Sequence, residues 1–345
     1  MPARLVDRDP RVDRDRLIGE FVPPPRFDSV RFETYLPDPA QPTQAAAVAG
    51  LRAFANRLAA GAGSAERRRW FRRAAPPEGR AGVYLDGGFG VGKTHLLASL
   101  WHVAPGPKAF GTFVGYTHLV GALGFQAAVE ALASMRLVCI DEFELDDPGD
   151  TVLMSTLLAR LVERGVALAA TSNTLPDRLG EGRFAAEDFL REIQGLSAHF
   201  DVLRIDGEDY RHRGVPDAPR PVDVDVLERR ADATPASTLD DFADLVVHLS
   251  RVHPSRYGAL LDGVDAVFLR DVRTVTDQAE ALRLVVLADR LYDRDVPVVA
   301  SGVPLDRLFS AEMLRGGYRK KYYRALSRLV ALAREGGGLA ARGEA

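Results

Sequence analysis

Gly87-Gly88-Phe89-Gly90-Val91-Gly92-Lys93-Thr94 is the stretch that decides the fold. It fits the pattern G-x-x-x-x-G-K-[ST], a loop that wraps the phosphates of a nucleotide. Its flanks agree with that reading. Val83-Tyr84-Leu85-Asp86 reads as a short buried strand entering the loop, and Thr94 to Trp101 as a helix leaving it, with Leu96, Leu97 and Leu100 apolar. Glycine lets the backbone take positive φ and approach a ligand closely. Successive N–H groups then form an anion nest, and the helix N-terminus adds its free donors. In this arrangement Gly87, Gly88, Phe89, Gly90, Val91, Gly92 and Lys93 surround the phosphates. Lys93 reaches the β- and γ-phosphates as a point charge, and Thr94 offers its hydroxyl to Mg²⁺. His95 follows directly on the first helical turn and is grouped with them.

Working outward, Asp141-Glu142 ends the apolar run Leu137-Val138-Cys139-Ile140. In an open parallel sheet, ligands bind at the carboxyl ends of strands, so both acids are expected to face the phosphates. The first, Asp141, is placed to order Mg²⁺ together with Thr94. The second, Glu142, is placed to accept a proton from an attacking water. A further strand, Val166 to Thr171, is followed by Ser172-Asn173. At the tip of a strand beside the acids, Asn173 can hydrogen-bond the γ-phosphate and the water. Charge in the transition state also calls for an arginine, often supplied by a neighbouring subunit. Arg183 and Arg191 follow the asparagine and are candidates for that role. Arg324 and Arg328, on a C-terminal helix, are candidates for reaching the nucleotide in cis.

Strands alternating with helices predict a parallel sheet covered on both faces, and with the glycine loop an α/β P-loop NTPase. Phe110 to Val114 and Val202 to Ile205 complete the expected strands. Thr43 to Leu58 is expected as a helix ending before Gly61, and another is expected to be capped by Asp150 and to stop at Gly165. Residues 1–28 read as an N-terminal tail that orders against the body, 29–213 as the P-loop core and 214–238, rich in Pro, Asp and Arg, as a linker or long loop. Residues 239–345 read as a C-terminal α/β extension. There Val264–Leu269, Asp277–Tyr292 and Val296–Ser301 form a strand, helix and strand that either extend the main sheet or build a small lobe. A basic helix from Tyr318 to Leu332 precedes a frayed tail after Gly336.

Composition narrows the function. A net charge of −3 over 345 residues gives no global attraction to nucleic acid or anionic lipid. The single Cys139 allows no internal disulfide and no cysteine metal site. No apolar run reaches the roughly 18 residues that a membrane helix needs, and the charged N-terminus lacks a signal-peptide core. A cytoplasmic protein without integral membrane association is expected.

The chain also resembles the ZapE family of AAA-type ATPases, bacterial cell-division proteins with mitochondrial relatives. The resemblance runs from about Phe27 to Leu329. It rests on Gly87–Thr94, on Asp141-Glu142-Phe143 with Asp147 and Asp150, on Ala170-Thr171-Ser172-Asn173 and on Gly207-Glu208-Asp209-Tyr210-Arg211. Further along it includes Phe242-Ala243-Asp244-Leu245, Leu291-Tyr292-Asp293 and Tyr323-Arg324-Ala325-Leu326-Ser327-Arg328-Leu329. The chain departs from the family in a shortened Lys108–Ser134 segment, in Ala185-Ala186 where Gln-Arg is usual, and in His95 and Val246. The resemblance implies ATP as the nucleotide, in keeping with the lack of an Asn-Lys-x-Asp guanine signature. It further implies a protein-remodelling ATPase acting with FtsZ or another protein client. A ring or dimer of identical chains would let one subunit's arginine complete the next subunit's site. The alternative is a nucleic-acid-associated ATPase of the DnaC/IstB helicase-loader kind. The runs Arg67-Arg68-Arg69, Arg72-Arg73 and Arg319-Lys320-Lys321 speak for it. The mildly acidic balance and the lack of a helix-turn-helix module speak against it.

Overall fold

Val83, Tyr84 and Leu85 are each fully or almost fully buried, and an apolar run buried on alternate sides requires a strand covered on both faces. The computed structural model, which describes residues 2–10, 14–68, 80–88, 90–144, 148–175, 190–207 and 218–339, provides that cover. Its chain divides into two units. One takes in Arg14–Pro23 and Phe27–His212, the other Met1–Asp13, Pro24–Arg26 and Arg213–Ala345.

The first unit contains, in order, α1 (Arg14–Gly19), α2 (Pro42–Arg68), β1 (Gly82–Gly87), α3 (Lys93–Val103), β2 (Lys108–Thr112), α4 (Phe113–Leu123) and α5 (Phe125–Leu132). It continues with β3 (Leu137–Asp141), α6 (Pro148–Glu163), β4 (Ala167–Ser172), α7 (Leu190–Ser197) and β5 (Phe200–Ile205). The strands form one sheet in the order β2-β3-β4-β1-β5. Every pairing is parallel, so the carboxyl ends of β1, β3 and β4 lie along one edge. Side chains alternate across the sheet. Val83 and Leu85 join Leu51 and Phe54 of α2 and Leu96, Leu97 and Leu100 of α3 in one core. Tyr84 packs against Phe143 and Phe200, with ring centroids 6.3 and 5.6 Å apart. This is the P-loop NTPase sheet expected from the glycine loop.

Several boundaries differ from the sequence reading. The strand expected over Phe110–Val114 stops at Thr112, because the Thr112 hydroxyl accepts a bond from the Gly115 N–H and caps α4. Helix α2 does not stop before Gly61 but runs to Arg68, a glycine in a helix interior costing only about 1 kcal/mol. Helix α6 starts at Pro148, leaving Asp150 in its first turn rather than at its cap. Proline suits the first helical position, where its missing N–H is no loss.

The second unit has its own sheet. It comprises α8 (Val224–Ala233), β6 (Ser237–Asp241), α9 (Phe242–Arg251), α10 (Tyr257–Leu260), β7 (Ala266–Val272), α11 (Gln278–Asp293), β8 (Val298–Gly302) and α12 (Arg319–Leu339). The strands pair in parallel in the order β6-β7-β8, separate from the five-stranded sheet. The described part of the expected linker, 214–238, therefore holds a helix and the start of a strand. Only Leu227 and Ala231 of α8 are buried, four residues apart, and so short an apolar stripe is hidden among charges. The N-terminal residues order against the second unit, in the way expected of the tail. Ala3 bridges Thr238 in parallel, Leu5 is fully buried, and the N–H groups of Leu5 and Val6 donate to the Asp240 carboxylate at 3.0 and 3.1 Å. Helix α12 passes Gly336 without fraying and ends at Leu339. A Cβ on Gly336 would lie 2.6 Å from the Val298 carbonyl oxygen, so that glycine lets the helix close on β8. Among the described residues no helix is long and apolar enough to cross a membrane.

Candidate functional site

The loop between β1 and α3 bends through Gly90 and Gly92, at φ of 80° and 86°, a region that L side chains seldom enter. Two further constraints demand glycine. A Cβ on Gly87 would lie 2.4 Å from the Ile205 carbonyl oxygen, and one on Gly92 would lie 2.6 Å from the Tyr35 ring. Tyr35 braces the loop from outside, its hydroxyl donating to the Val91 carbonyl at 2.8 Å. His95 turns toward the same segment, with Nε2 at 2.9 Å from Thr34 Oγ1 and 3.1 Å from the Arg31 carbonyl oxygen.

The Lys93 ammonium donates to the carbonyls of Gly87, at 2.8 Å, and Gly88, and to Asn173 Oδ1 at 2.9 Å. Burial lowers it to about 8, while Asp141, Asp86, Glu142 and Glu144 pull it back upward. One residue on, Thr94 Oγ1 donates to the Asp141 carboxylate at 3.1–3.2 Å. Asp141 is 5% exposed and accepts a second bond from Thr171 Oγ1 at 2.6 Å. Thr171 also accepts from the Glu142 N–H at 3.0 Å and, through its carbonyl, from the Phe143 N–H at 2.6 Å. These bonds hold Glu142 at a φ of 55°. A non-glycine residue keeps such a conformation only where its surroundings over-determine it.

A cavity of about 250 Å³ is lined by Gly90, Gly92, Lys93, Thr94, His95, Asp141, Glu142, Thr171, Ser172, Asn173 and Phe27. Eight of the residues singled out in the sequence thus meet around one space, at the carboxyl ends of the strands. Gly87 and Gly88 take part through their carbonyls. Phe89 and Arg183 lie outside the described residues, as do Asp147 and Asp209-Tyr210-Arg211. Arg191 is exposed on α7 and does not line the cavity. Arg324 and Arg328 find their partner inside the second unit, where both pair with Asp289. Burial alone would raise that carboxyl, but the two arginines outweigh it and hold it below the usual range. Three participants escaped the sequence reading. Thr171 is the hub of the acid strand, Phe27 lines the cavity from far upstream, and Glu144 accepts from Asn173 Nδ2 at 3.1 Å. An acid two residues past the acid pair was a visible signal for Glu144; nothing in the sequence marked Phe27.

The donor set fits a hard cation. Thr94 and Asp141 present only oxygen, and Mg²⁺ is commonly held by one or two protein oxygens plus substrate phosphates. Among the described residues no cluster of three or more His, Cys, Asp or Glu side chains is arranged to hold a metal.

A family model described as AFG1-like ATPase matches residues 12–223 and 214–336. The chain is similar to the cell division protein ZapE of Escherichia coli strain K12, 29% identical over 299 residues that span 74% of this chain and 78% of that protein. It is also similar to lactation elevated protein 1 homolog B of Danio rerio, 26% identical over 300 residues, 70% of this chain and 59% of the other. Among solved structures, domain III of the Thermotoga maritima replication initiation protein DnaA aligns at 15% identity and a TM-score of 0.40, covering 61% of this chain and 75% of that one. The DnaC helicase loader aligns at 17% identity and a TM-score of 0.35, covering 52% of this chain and 99% of that one.

The displaced Lys93 sets a pH dependence. With its ammonium lowered to about 8, Lys93 is cationic below that pH and neutral above it, and a triphosphate favours the cation. ATP affinity is therefore expected to be flat from pH 6.5 to 7.5 and to weaken as pH rises through 8, by at most about tenfold per pH unit for one linked proton. Equilibrium titration with a fluorescent ATP analogue reads this directly. An affinity unchanged up to pH 9.5 would remove Lys93 as the titrating contact.

Proposed function

The chain belongs to the AFG1-like ATPase family, and from that premise we propose a Mg²⁺-dependent ATPase that couples hydrolysis to remodelling a protein client. One observation carries the proposal: Lys93, Thr94, Asp141, Glu142 and Asn173 converge on a single cavity from a loop and two strand ends. In this reading the loop N–H groups and Lys93 grip the β- and γ-phosphates. Thr94 and Asp141 hold Mg²⁺, which when bound neutralises charge on the phosphate oxygens. Glu142, aimed into the cavity by its left-handed backbone, takes a proton from the attacking water, and Asn173 orients that water.

Lys93→Ala is expected to abolish ATP binding. Glu142→Gln is expected to keep binding and to lower turnover by about 10²–10⁴-fold, the usual contribution of a positioned general base, so that ATP accumulates on the protein. Filter binding and phosphate release separate the two effects. Turnover within a few-fold of the parent in the Glu142 variant excludes that residue as the base.

The missing cation is proposed to come from a second copy of the chain, through Arg183 or the exposed Arg191. Arg191→Ala and Lys93→Ala proteins, each inactive alone, should recover phosphate release when mixed, since a mixed interface can pair the intact Lys93 of one subunit with the intact Arg191 of the other. If neither this pair nor the corresponding Arg183 pair recovers, the neighbour's arginine is excluded.

The client is proposed to be FtsZ at the division ring, in the cytoplasm, by extension from the E. coli relative named as a cell-division protein. Turnover should rise several-fold with FtsZ filaments and stay level with single- or double-stranded DNA. The reverse pattern would favour the helicase-loader alternative.

A further inference from the structure

Lys93 has three protons, and all three have acceptors: the Gly87 and Gly88 carbonyls and Asn173 Oδ1. The third acceptor belongs to an amide whose other end is also held, because Asn173 Nδ2 donates to Glu144 Oε1 at 3.1 Å. Only one orientation of the amide satisfies both neighbours. The reverse would set an NH₂ against an ammonium and an oxygen against a carboxylate, and amide orientation is assigned by such partners.

The two ends of this pair are braced by one residue. Glu144 follows Phe143, whose fully buried ring packs edge-on against Tyr84 and Phe113, at 6.3 and 5.1 Å between centroids. Asn173 precedes Thr174, whose carbonyl accepts from the Tyr84 hydroxyl at 2.7 Å. Tyr84 on β1 thus fixes the chain beyond β3 and beyond β4 together, and the Glu144–Asn173 bond spans the gap.

We infer that Glu144 is a positioning residue for hydrolysis: by holding the amide nitrogen of Asn173, it turns the amide oxygen toward the phosphate cavity. The inference rests on the ATPase reading of this cavity. When Lys93 turns to a triphosphate, the Asn173 oxygen is released as an acceptor. It then takes a hydrogen bond from the attacking water, leaving that water's lone pair directed at phosphorus and its second proton for Glu142. Glu144 itself touches neither water nor phosphate in this scheme.

A double-mutant cycle tests it, with ATP affinity and thermal unfolding measured on every variant so that lost folding or binding is recognised. Asn173→Ala is expected to lower kcat about a hundredfold. Glu144→Ala is expected to lower kcat on the order of tenfold or more, the scale of one charge-assisted hydrogen bond, with the ATP dissociation constant within a few-fold of the parent. In the Asn173→Ala background the effect of the Glu144→Ala change on kcat should largely vanish, because the inferred route through the amide is gone, while the electrostatic effect of Glu144 on Lys93 is read separately in the ATP affinity. Glu144→Gln, which keeps an acceptor oxygen, should restore most of the turnover. The inference is overturned if Glu144→Ala is as active as the parent, if its effect is the same in both backgrounds, or if Glu144→Gln is as inactive as Glu144→Ala. Full turnover by Asn173→Ala has a different meaning: it overturns the role given to Asn173, and with it this part of the ATPase reading. An inactive Asn173→Ala beside an active Glu144→Ala sinks the inference alone.

Discussion

A single, largely buried ammonium organises the candidate site. In the proposed ATPase Lys93 acts as a cation, yet it sits where burial lowers it to about 8. A cation in such a place survives only with hydrogen-bond acceptors and opposite charge close by. The structure supplies both. Backbone carbonyls of its own loop and the Asn173 amide oxygen take its protons, while Asp141, Asp86, Glu142 and Glu144 offset the burial. Those acids bring their own repulsion, and hydroxyls manage it. Thr94 and Thr171 both donate to Asp141, which fixes one carboxylate and leaves Glu142 to be aimed by its backbone.

The sheet order makes this convergence feasible. With β4 inserted between β3 and β1, the strand that carries Thr171 and leads into Asn173 lies between the lysine loop and the acid pair. Thr171 then serves β3 on one side while Asn173 serves Lys93 on the other. Parallel pairing throughout puts all of these ends on one edge. The strained φ of Glu142 is tolerated there because both flanking N–H groups, its own and that of Phe143, are tied to Thr171. Strain of order 1–3 kcal/mol at such a residue is offset by the rigid sheet beneath it and by burial of the Phe143 ring.

How much of this was legible in the sequence follows from how local each signal is. The glycine loop, the apolar strand ending in Asp141-Glu142 and the Thr171-Ser172-Asn173 tip are contiguous patterns with fixed chemistry, so both their place in the fold and their meeting in one cavity could be read. Two strands of the second unit, β7 and β8, were legible for the same reason, while β6, whose start lies in the expected linker, was not; whether they joined the main sheet was not legible either, since pairing partners leave no local mark. Helix α8 was hidden because only Leu227 and Ala231 form its buried stripe. Leu5 was hidden because one apolar residue among charges has no periodicity, although it fills a core built from residues more than 230 positions away. Thr171 and Glu144 were in view as letters, but their roles depend on side-chain hydrogen bonds across neighbouring strands, which spacing does not encode.

The arginines show the same limit from the other side. Tyr292, Arg324 and Arg328 belong to the stretches on which the family resemblance was built, and their sequence alone left Arg324 and Arg328 open as nucleotide ligands. In the structure they form a cluster of their own. Both arginines close on the partly buried Asp289, and the Arg328 guanidinium lies 5.0 Å from the centre of the Tyr292 ring, which also carries Arg26 at 3.3 Å. Arg26 is in turn paired with Asp295. Two cations around one such carboxylate are strongly interdependent, because removing a partner leaves a charge uncompensated in a poorly solvated place. Family signatures in this part of the chain therefore carry an ion cluster that holds the second unit's helices together. Arg26 also marks where the chain changes units: the next residue, Phe27, belongs to the first unit and lines the cavity there.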